Sequence, residues 1–443
     1  MSSATVIREL SRFAKTTPAS SQFAVDWLRK VPQNPNAVVC HPASTTAVAD
    51  VLRWCSNHKV PVVPQGGYTG LVQGSVPHGS DIAVILSTRK LQDCAIDVSE
   101  QSMLCGAGLT LAHAQDSAAA SGFSFPLDMG SKHSCTVGGN AATNAGGIHV
   151  VRFGSFRSNI LAATAVLSCG SVVKAGNGLR KDNTGYDLKQ LWVGSEGTLG
   201  VITDVAVALH PKATGRTTLR VQLADLREVD TLFSVARATF GPLLGAFEVI
   251  DAAGLGACGA LEDDSVAVVA IVDVLEFADA PVHSQLEQFS ATVPPNFDVR
   301  VAESGESQRR LWELRETLPV KLASMGPIYK FDLSFQREHF FDIVPKVREM
   351  VPPSVLVTGY GHFGDGNVHL NIVDRAGTQD AHIRGPVTDF IYSRTATLRG
   401  SISAEHGIGV EKKAAFHSLC QPQQLEMMRQ IKQCFDPTGT MNP

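Results

Sequence analysis

The sequence predicts an α+β protein built from more than one domain, and three observations support this prediction. The chain has 443 residues, which exceeds the usual length of a single domain. Apolar residues make up 44% and charged residues 18% of it, as in a well-cored globular protein, and 39 glycines indicate many tight turns. Strand-like and helix-like segments follow one another, and the composition changes near Pro211-Lys212. We therefore expect two or three sub-domains.

The order of these segments predicts four parts. Residues 1–36 form an N-terminal helical segment. Residues 37–211 contain short strands, a helix at 46–58 and the most glycine-rich loops of the chain. Residues 212–375 carry longer strands and helices, typical of a second domain with an antiparallel sheet. Residues 376–443 are predicted to be a C-terminal helical segment.

Charge, hydropathy and cysteine usage argue against several classes of protein. The net charge of −4 is small for this length and no run of Lys or Arg could follow a phosphate backbone, so nucleic-acid binding is not expected. No stretch of about eighteen apolar residues is present, so no transmembrane segment is predicted. Nine cysteines without a C-x-x-C pair are typical of buried thiols in a reducing compartment.

The first twenty residues allow two interpretations of the protein's location. Arg8, Arg12 and Lys15 stand against the one acid Glu9, and apolar residues share a helical face, as in the remnant of a mitochondrial transit peptide. An ordinary surface helix explains the same pattern. The sequence therefore suggests a mitochondrial location, with the cytoplasm as the alternative.

Three glycine-rich loops, at 64–74, 137–147 and 194–200, lie within one predicted domain. Glycine allows positive φ and lets backbone N–H groups converge on an anion without Cβ clashes. Each loop alone is also explained by an ordinary tight turn. Because none of them is followed by a Rossmann-type helix, the three loops together predict one large dinucleotide that lies across them.

A further glycine pattern, Gly359-x-Gly361-x-x-Gly364, matches the dinucleotide fingerprint but lacks its structural context. That fingerprint needs a helix that opens at the third glycine. Here Asp365-Gly366 predicts a turn, and the residues after it predict a strand. We therefore reject a Rossmann fold, and a nicotinamide-dependent dehydrogenase becomes a disfavoured alternative.

The same segment predicts a β-hairpin that carries two histidines. Asp365-Gly366 is the strongest short-range hairpin signal. With the turn centred there, His362 faces His369 across the hairpin, with Cβ atoms about 4.5–5.5 Å apart. Asn371 points to the same side as His369. Two imidazoles so placed can bind one metal ion, although a single histidine is more often structural.

A second segment, residues 403–409, strengthens the prediction of a site. Glu405 and His406 place an acid beside a base, next to Gly407 and Gly409. Two adjacent ionisable side chains are a costly arrangement for a plain core. We therefore expect this segment to contribute to the same chemistry as the hairpin.

Seven short motifs in and around the glycine loops carry a specific pattern. They are VPQGG at 63–67, TGL at 69–71, PLDMG at 126–130, CTVGGN at 135–140, TNAGG at 143–147, KDNTGYDL at 181–188 and GSEGTLGVIT at 194–203. With these motifs the chain resembles the FAD-binding domain of the vanillyl-alcohol-oxidase/PCMH flavoproteins. Within that superfamily it most resembles the D-2-hydroxyglutarate dehydrogenase family, over nearly its whole length.

The resemblance implies a two-part FAD-binding domain at 37–211, a substrate domain at 212–375 and a C-terminal segment at 376–443 that returns to the flavin. FAD is expected to be bound non-covalently, because no His stands at 66–71, where some superfamily members attach their flavin. The residues expected to bind FAD are Pro64, Gly66, Gly67, Thr69, Gly70, Leu71, Pro126, Gly138, Gly139, Asn140, Thr143, Asn144, Gly146, Gly147, Glu196, Gly197, Gly200, Ile202 and Asn442.

Three positions depart from the family pattern. Tyr68 stands where the family usually has Asn, and Gln73 where it has Gly, so the fit around the flavin pyrophosphate can differ. Pro319 stands where the family has a hydroxyl-bearing contact to substrate. This last departure weakens the choice of 2-hydroxyglutarate in particular but leaves the α-hydroxy-acid chemistry untouched.

The resemblance also implies a metal site formed by His362, His369 and Glu405. Two imidazoles and a carboxylate with an open position suit catalytic Zn²⁺, and they also suit non-haem Fe(II). Because the flavin takes the electrons, a redox-inert ion is sufficient. We therefore favour zinc, with iron and manganese as alternatives.

In the implied reaction an FAD-dependent dehydrogenase oxidises a D-2-hydroxy acid to the 2-oxo acid. The metal lowers the pKa of the substrate hydroxyl, His406 removes its proton as general base, and the α-hydrogen passes as hydride to flavin N5. Arg315 and Lys330 are expected to bind substrate carboxylate, and Asn371 to add a hydrogen bond. Arg315 alone is also explained by a solvated helix face.

Two other functions remain open from the sequence. A D-lactate dehydrogenase of the same superfamily would act on a shorter acid, with less need for a distal carboxylate clamp. A non-catalytic metal-binding protein with a vestigial flavin site is the alternative from another class. For the enzyme, the expected electron acceptor is an electron-transferring flavoprotein, a quinone or a cytochrome.

Overall fold

The computed structural model describes residues 1–278, 282–302 and 304–443, which form two compact units. The first unit comprises Met1–Gly146, Ser155–Pro211 and Glu405–Pro443. The second comprises Gly147–Gly154 and Lys212–Ala404. The chain therefore returns to the first unit at Glu405, and residues 376–404 stay with the second.

The first unit contains a four-stranded sheet against which two helices pack. The helix Ser3–Leu10 and the helix Thr45–Asn57 bury apolar residues such as Val6 and Leu52 in its core. In spatial order the strands are Lys15–Pro18, Val38–His41, Val84–Ser87 and Val62–Gln65. The last three pair in parallel, while Lys15–Pro18 is antiparallel to its neighbour.

A five-stranded antiparallel sheet forms the other layer of the first unit. Its strands, in spatial order, are Cys94–Asp97, Ser102–Gly106, Val201–Ala208, Ile160–Val166 and Val172–Ala175. The first unit also contains a short strand pair, Phe123–Ser124 with His210–Pro211. Its other helices are Ser21–Ala24, Thr88–Lys90, Leu111–Ala120, Val137–Thr143, Phe156–Asn159, Lys189–Trp192, Lys413–Leu419 and Pro422–Phe435.

The second unit is built on a seven-stranded antiparallel sheet. Its strands, in spatial order, are Asp298–Val301, Gly215–Leu223, Val268–Glu276, Leu244–Asp251, Val355–His362, Asn367–Asp374 and Ile328–Ser334. The helices Glu228–Phe240 and Ile343–Met350 bury their apolar residues in the core on one face. The helix Gly305–Ser324 contributes Trp312, Leu318 and Leu322 to a separate apolar cluster.

The other elements of this unit are short. They are the helices Val150–Phe153, Gly241–Leu243, Ala252–Ala257, His283–Thr292, Arg337–His339, Phe363–Asp365, Asp380–His382, Ile383–Val387 and Thr388–Thr397. In the described part of the chain, no helix has both the length and the apolar character needed to cross a membrane.

The predicted α+β class is confirmed, and two local predictions are corrected. The first 36 residues, for which we expected helix, also contain the strand Lys15–Pro18, because its threonines pair with Val38–His41 at the sheet edge. The glycine-rich segment 137–147 is not a loop throughout. It begins with the helix Val137–Thr143, whose N-cap Thr136 accepts a hydrogen bond from the Gly139 N–H.

Candidate active site

The three glycine-rich segments predicted to share a dinucleotide meet one another in the first unit. The N–H groups of Gly194 and Glu196 donate to the carbonyls of Ala141 and Ala142 at 3.0 and 2.7 Å, which joins the third segment to the second. A Cβ atom on Gly197 would lie 2.9 Å from Cγ of Pro64, so the third segment also packs against the first.

The first and second segments approach just as closely. A Cβ on Gly66 would lie 2.4 Å from the Thr136 hydroxyl and 3.5 Å from Cα of Gly139. A side chain at position 66 would therefore have to displace the Thr136 hydroxyl, which glycine avoids. The three segments therefore form one cradle, which we call the glycine cradle (residues 64–74, 137–146 and 194–200). Pro126 and Ile202 belong to the same unit, whereas Gly147, which was also predicted to bind FAD, belongs to the second unit.

Two further side chains hold the glycine cradle together. Arg89 donates from Nε to the Gly66 carbonyl at 3.2 Å and from Nη2 to the Gly67 carbonyl at 3.1 Å. Asn442, which was predicted to bind FAD, donates its amide to the carbonyls of Gly74 and Glu196. Sequence reasoning missed Arg89, because it lies 23 residues after Gly66 and 22 after Gly67 and carries no local signal of that contact.

The glycine cradle has the properties that FAD requires. Gln65 is buried and donates through Nε2 to two backbone carbonyls, but its Oε1 has no hydrogen-bond partner among the described residues. A buried acceptor without a partner costs about 1–3 kcal/mol, and an N–H or O–H of FAD would satisfy it. A Cβ on Gly70 would meet no described atom within 4 Å, which leaves room beside the loop.

Glu196, predicted as a cofactor residue, contacts the segment that carries Glu405 and His406. Its two carboxylate oxygens accept hydrogen bonds from the N–H groups of Ile408 and Gly409, both at 2.8 Å. Burial raises the pKa of Glu196, although these N–H groups oppose the shift. Glu196 thereby holds the 405–409 segment against the glycine cradle, within the same unit.

Glu405 and His406 lie next to each other and next to the glycine cradle. Nε2 of His406 is 3.8 Å from Oε1 of Glu405. A Cβ on Gly146 would lie 2.5 Å from Oε2 of Glu405, so the carboxylate rests against the second glycine-rich segment. The first unit therefore places a candidate base and a candidate metal ligand beside its expected flavin site.

The hairpin of the second unit differs in register from our prediction. His362 pairs with Asn367, and His369 pairs with Tyr360, so the two histidines are not directly opposed. The reason is the loop, which contains four residues because Phe363–Asp365 forms a 3₁₀ turn and Gly366 is left-handed at φ 78°. His362 and His369 are instead diagonal neighbours on one face.

This diagonal arrangement still brings the two imidazoles together. Nε2 of His362 lies 3.4 Å from Nε2 of His369. Behind each ring is a fully buried carboxylate: Glu248 Oε1 is 2.5 Å from Nδ1 of His362, and Asp332 Oδ1 is 3.7 Å from Nδ1 of His369. The Glu248 contact favours the tautomer of His362 with its proton on Nδ1, and the Nε2 atoms of the two rings face each other.

The histidine pair fits a divalent metal ion. A tetrahedral zinc ion with Zn–N bonds of about 2.0–2.1 Å places two ligand nitrogens roughly 3.3–3.4 Å apart. The observed separation of 3.4 Å agrees with that value. Burial raises the pKa of Glu248, but His362 and Arg315 outweigh it and hold that pKa below its ordinary value. The carboxylate behind His362 is therefore an anion.

Arg315 does not lie on a solvated helix face. It is only 8% exposed, and its Nε donates to Oε2 of Glu248 at 2.7 Å. The guanidinium also stacks over the ring of Tyr360, 4.9 Å from its centroid. Its helix begins at a capping box formed by Ser304 and Ser307, and Arg315 shares the buried face of that helix with Trp312 and Leu318.

Asn371 and Lys330 are paired across neighbouring strands close to this cluster. Their Cα positions are in register, and Asn371 follows His369 by two residues, so the two side chains lie on the same face of the sheet. Asn371 is 1% exposed, and its Oδ1 has no hydrogen-bond partner among the described residues. A buried acceptor in this state is suited to a donor from a ligand.

Sequence reasoning missed the two carboxylates behind the histidines. Asp332 lies two residues after Lys330, so strand alternation could have placed both on one face. Glu248 is an acid within the buried strand Leu244–Asp251, and an ionisable residue in an apolar run is itself a signal. Its partner could not be named, because the pairing of Glu248 with His362 joins distant parts of the chain.

The chain matches two known protein families along most of its length. The FAD binding domain matches residues 35–176, and the C-terminal domain of the FAD linked oxidases matches residues 213–443. The mitochondrial D-2-hydroxyglutarate dehydrogenase of Bos taurus is 39% identical over 435 residues, covering 95% of this chain and 78% of that protein.

Two fungal proteins are similar over comparable lengths. The D-2-hydroxyglutarate–pyruvate transhydrogenase of Saccharomyces cerevisiae is 34% identical, and the match covers 96% of this chain and 88% of the yeast protein. A putative mitochondrial D-lactate dehydrogenase of Schizosaccharomyces pombe is 34% identical, covering 97% and 85%. Both acids in these names are D-2-hydroxy acids.

Solved structures share the fold at much lower identity. p-Cresol methylhydroxylase has a TM-score of 0.80 at 12% identity, covering 99% of this chain and 96% of its own. Alkyldihydroxyacetonephosphate synthase has a TM-score of 0.76 at 14% identity, covering 99% and 85%. These likenesses support the fold alone.

The glycine cradle, the matched domains and the shared fold define an FAD-dependent oxidoreductase of the vanillyl-alcohol-oxidase/PCMH type. Relatives at 33–39% identity narrow this class further. The chain belongs to the D-2-hydroxyglutarate dehydrogenase family. The predicted resemblance, fold class and class of enzyme, an FAD-dependent D-2-hydroxy-acid dehydrogenase, are confirmed.

Proposed function

We propose that this enzyme oxidises D-2-hydroxyglutarate to its 2-oxo acid with FAD and a divalent metal ion. The observation that carries the proposal is the sheet face of the second unit, where two imidazole Nε2 atoms lie 3.4 Å apart beside the buried cation Arg315. An α-hydroxy acid presents a hydroxyl, which suits a metal ion held by the two imidazoles, and a carboxylate, which suits the Arg315 guanidinium. The names of the relatives agree with this substrate class.

We propose His362, His369 and Glu405 as the ligands, with zinc favoured over iron and manganese. The buried carboxylates behind both imidazoles support the first two. The peptide N–H of Ala404 donates to the Asp332 carbonyl at 3.3 Å, and Glu405 is the next residue, which supports the third. When bound, the metal would supply Lewis-acid activation of the substrate hydroxyl.

The protein's own residues hold the substrate and move one proton. Arg315 and Lys330 offer a cation for each carboxylate of a dicarboxylic acid, and the Asn371 Oδ1 accepts a hydrogen bond from the hydroxyl. His406 accepts the hydroxyl proton on a ring nitrogen and so acts as the general base. Non-covalently bound FAD supplies the hydride acceptor.

D-lactate is the second candidate substrate, and two observations favour it. A relative is named a putative D-lactate dehydrogenase. Pro319 lies within the helix Gly305–Ser324, one turn after Arg315, and it has no hydroxyl to offer a distal carboxylate. D-lactate has no second carboxylate. The enzyme would therefore prefer D-lactate if Lys330 does not bind the distal carboxylate of D-2-hydroxyglutarate.

For the partner we propose an electron-transferring flavoprotein, a quinone or a cytochrome, and for the location the mitochondrion. The mitochondrial names of several relatives support the location. Cell fractionation with the tagged protein tests it, and a cytoplasmic signal would contradict it. Turnover of reduced enzyme with each acceptor class distinguishes the partners.

Anaerobic mixing tests the reaction itself. Purified protein is mixed with D-2-hydroxyglutarate, D-lactate and their L-enantiomers while flavin absorbance near 450 nm is followed. We expect bleaching by the D-acids only, fastest with D-2-hydroxyglutarate and abolished by EDTA. Flavin that stays with the denatured protein on filtration would contradict non-covalent binding. Flavin-loaded and metal-loaded protein that no D-acid reduces would overturn the proposal.

A further inference from the structure

Glu248 is a fully buried carboxylate that contacts two different functional groups at once. One oxygen, Oε1, lies 2.5 Å from Nδ1 of His362, and the other, Oε2, accepts a hydrogen bond from Nε of Arg315 at 2.7 Å. The residue lies in the strand Leu244–Asp251, every residue of which is buried. A single side chain therefore joins a proposed metal ligand to a proposed substrate-binding cation.

The position of Glu248 is costly unless both contacts are made. Removing a carboxylate from water costs several kcal/mol even after relaxation, and good hydrogen-bond geometry is needed to offset this. Asp251, three residues along the same strand, is also buried, but its partners are structural. Asp251 accepts hydrogen bonds from the N–H groups of Gly254 and Gly359 and from the Thr358 hydroxyl. Through these contacts it caps the helix Ala252–Ala257 and joins its own strand to the strand Val355–His362.

The partners of Glu248 have a different character from those of Asp251. His362 stands at the N-cap position of the Phe363–Asp365 turn but makes no side-chain cap hydrogen bond, and Arg315 lies inside a helix. The two belong to different elements, the strand Val355–His362 and the helix Gly305–Ser324. Glu248 pairs in register with His362, so their Cα positions are set by the sheet. Arg315 reaches Glu248 from a helix and is oriented by the Tyr360 ring as well.

We propose that Glu248 is a positioning residue that couples the metal half of the site to the substrate-carboxylate half. It holds the His362 ring so that Nε2 faces His369, and it sets the angle of the Arg315 guanidinium through Nε. This inference rests on the proposed function. It predicts that one substitution at Glu248 weakens metal binding and substrate binding together, although Glu248 itself contacts neither the metal ion nor the substrate.

The test uses the FAD-loaded, full-length protein and its Glu248→Gln variant. Gln keeps the volume but removes the charge, and its amide can accept from only one of the two partners. The Kd for Zn²⁺ is measured by competition with a chromogenic chelator, and KM and kcat with D-2-hydroxyglutarate. Loss of a residue that is hydrogen-bonded to a metal ligand weakens metal binding by roughly 10–100-fold. We therefore expect the Kd for Zn²⁺ to rise by about that factor. We also expect KM for D-2-hydroxyglutarate to rise by a larger factor than that by which kcat falls.

A matched control separates positioning from general stability. Asp273→Asn alters another buried carboxylate, which is hydrogen-bonded to Thr218 and Trp312 and ion-paired to Arg216 in the same sheet. It is expected to lower the melting temperature while leaving the Kd for Zn²⁺ and KM within twofold of the wild type. Equal losses of Zn²⁺ affinity in both variants would show a merely structural role and overturn the inference.

A second variant decides the matter if Glu248→Gln fails to fold. Arg315→Lys removes the Nε contact and so loosens the far end of Glu248, and we expect a several-fold rise in the Kd for Zn²⁺ although Arg315 is not a ligand. An unchanged Kd in a folded Arg315→Lys protein overturns the coupling. Wild-type protein that binds no Zn²⁺ overturns the proposed function and this inference, whereas normal wild-type binding with an unaffected Glu248→Gln variant overturns only this inference.

Discussion

His362 and His369 meet through their Nε2 atoms, 3.4 Å apart, although the two residues are not partners in the strand register. Their rings are nearly perpendicular, at 83°. Nδ1 of His362 is 2.5 Å from the buried Glu248 carboxylate, and Nδ1 of His369 is 3.7 Å from the buried Asp332 carboxylate, so both rings turn Nδ1 toward the protein and Nε2 toward each other. Such a pair is suited to chelation, because no strand needs to move to bring the two donors to one ion.

Substitution of His369 by Ala is expected to remove the metal and keep the flavin. Half of the Nε2 pair is lost, while the glycine cradle lies in the other compact unit and is not altered. We expect Zn²⁺ affinity to fall by more than the roughly 100-fold upper figure for an outer-shell partner. Elemental analysis for zinc and absorbance for flavin, after dialysis against EDTA and reloading with Zn²⁺, measure both.

His339→Ala is the matched control for that experiment. His339 also has a carboxylate at Nδ1, Asp342 at 2.8 Å, but it lies in the short turn Arg337–His339, which has no buried residue. It is expected to retain the zinc content of the wild type. Stoichiometric zinc in the His369→Ala protein would contradict the ligand assignment.

Replacement of Asn371 by Leu is expected to raise stability and lower activity. Its buried Oδ1 lacks a partner among the described residues, and such an atom costs about 1–3 kcal/mol in the substrate-free protein. An apolar side chain of similar size avoids that cost but offers the substrate no acceptor. We expect a higher melting temperature and a fall in kcat/KM of about tenfold or more, which corresponds to about 1.4 kcal/mol.

Asn367→Leu distinguishes this effect from a general effect of the substitution. Asn367 is in the same strand and is also buried, but its amide donates to two acceptors, Oδ1 of Asp332 at 2.8 Å and the Leu333 carbonyl at 3.0 Å, whereas the Asn371 amide donates to the His369 carbonyl at 3.2 Å. Because both acceptors would lose their donor, this variant is expected to melt at a lower temperature. A lower melting temperature in both variants would mean that the side-chain Oδ1 of Asn371 has a hydrogen-bond partner in the substrate-free protein.

The sequence alone predicted the local features of the site better than its long-range ones. The hairpin around Asp365-Gly366 was predicted correctly, but its register was not, because the left-handed conformation of Gly366 is combined with a 3₁₀ turn instead of a two-residue turn. The meeting of the three glycine-rich segments was expected from their shared composition. The contact of Glu248 with His362 depends on which strands become neighbours, and no local pattern encodes that.

Gly67→Ala is expected to abolish flavin binding. A Cβ at this position would lie 2.1 Å from the Ser134 carbonyl oxygen and 2.5 Å from Cα of Cys135, so the backbone of the first glycine-rich segment must shift. We expect purified protein with little bound FAD and normal zinc content. Gly130→Ala is the control, since a Cβ there meets no described atom within 4 Å, and it should retain its flavin. Full flavin content in Gly67→Ala would show that FAD does not depend on the geometry of this segment.

Gln73→Gly is expected to stabilise the first glycine-rich segment. Gln73 has φ 64° and Tyr68 has φ 66°, a left-handed conformation that costs an L-residue other than glycine about 1–2 kcal/mol. Glycine removes this strain but adds entropy to the unfolded chain, so the net gain should be about 0.5–1 kcal/mol. Gln421→Gly is the control, because Gln421 has φ −62° and no strain to release, and there the entropy term alone should lower the melting temperature. Thermal unfolding of the two flavin-loaded variants should shift in opposite directions. A fall in both would mean that the backbone at Gln73 is not strained in solution.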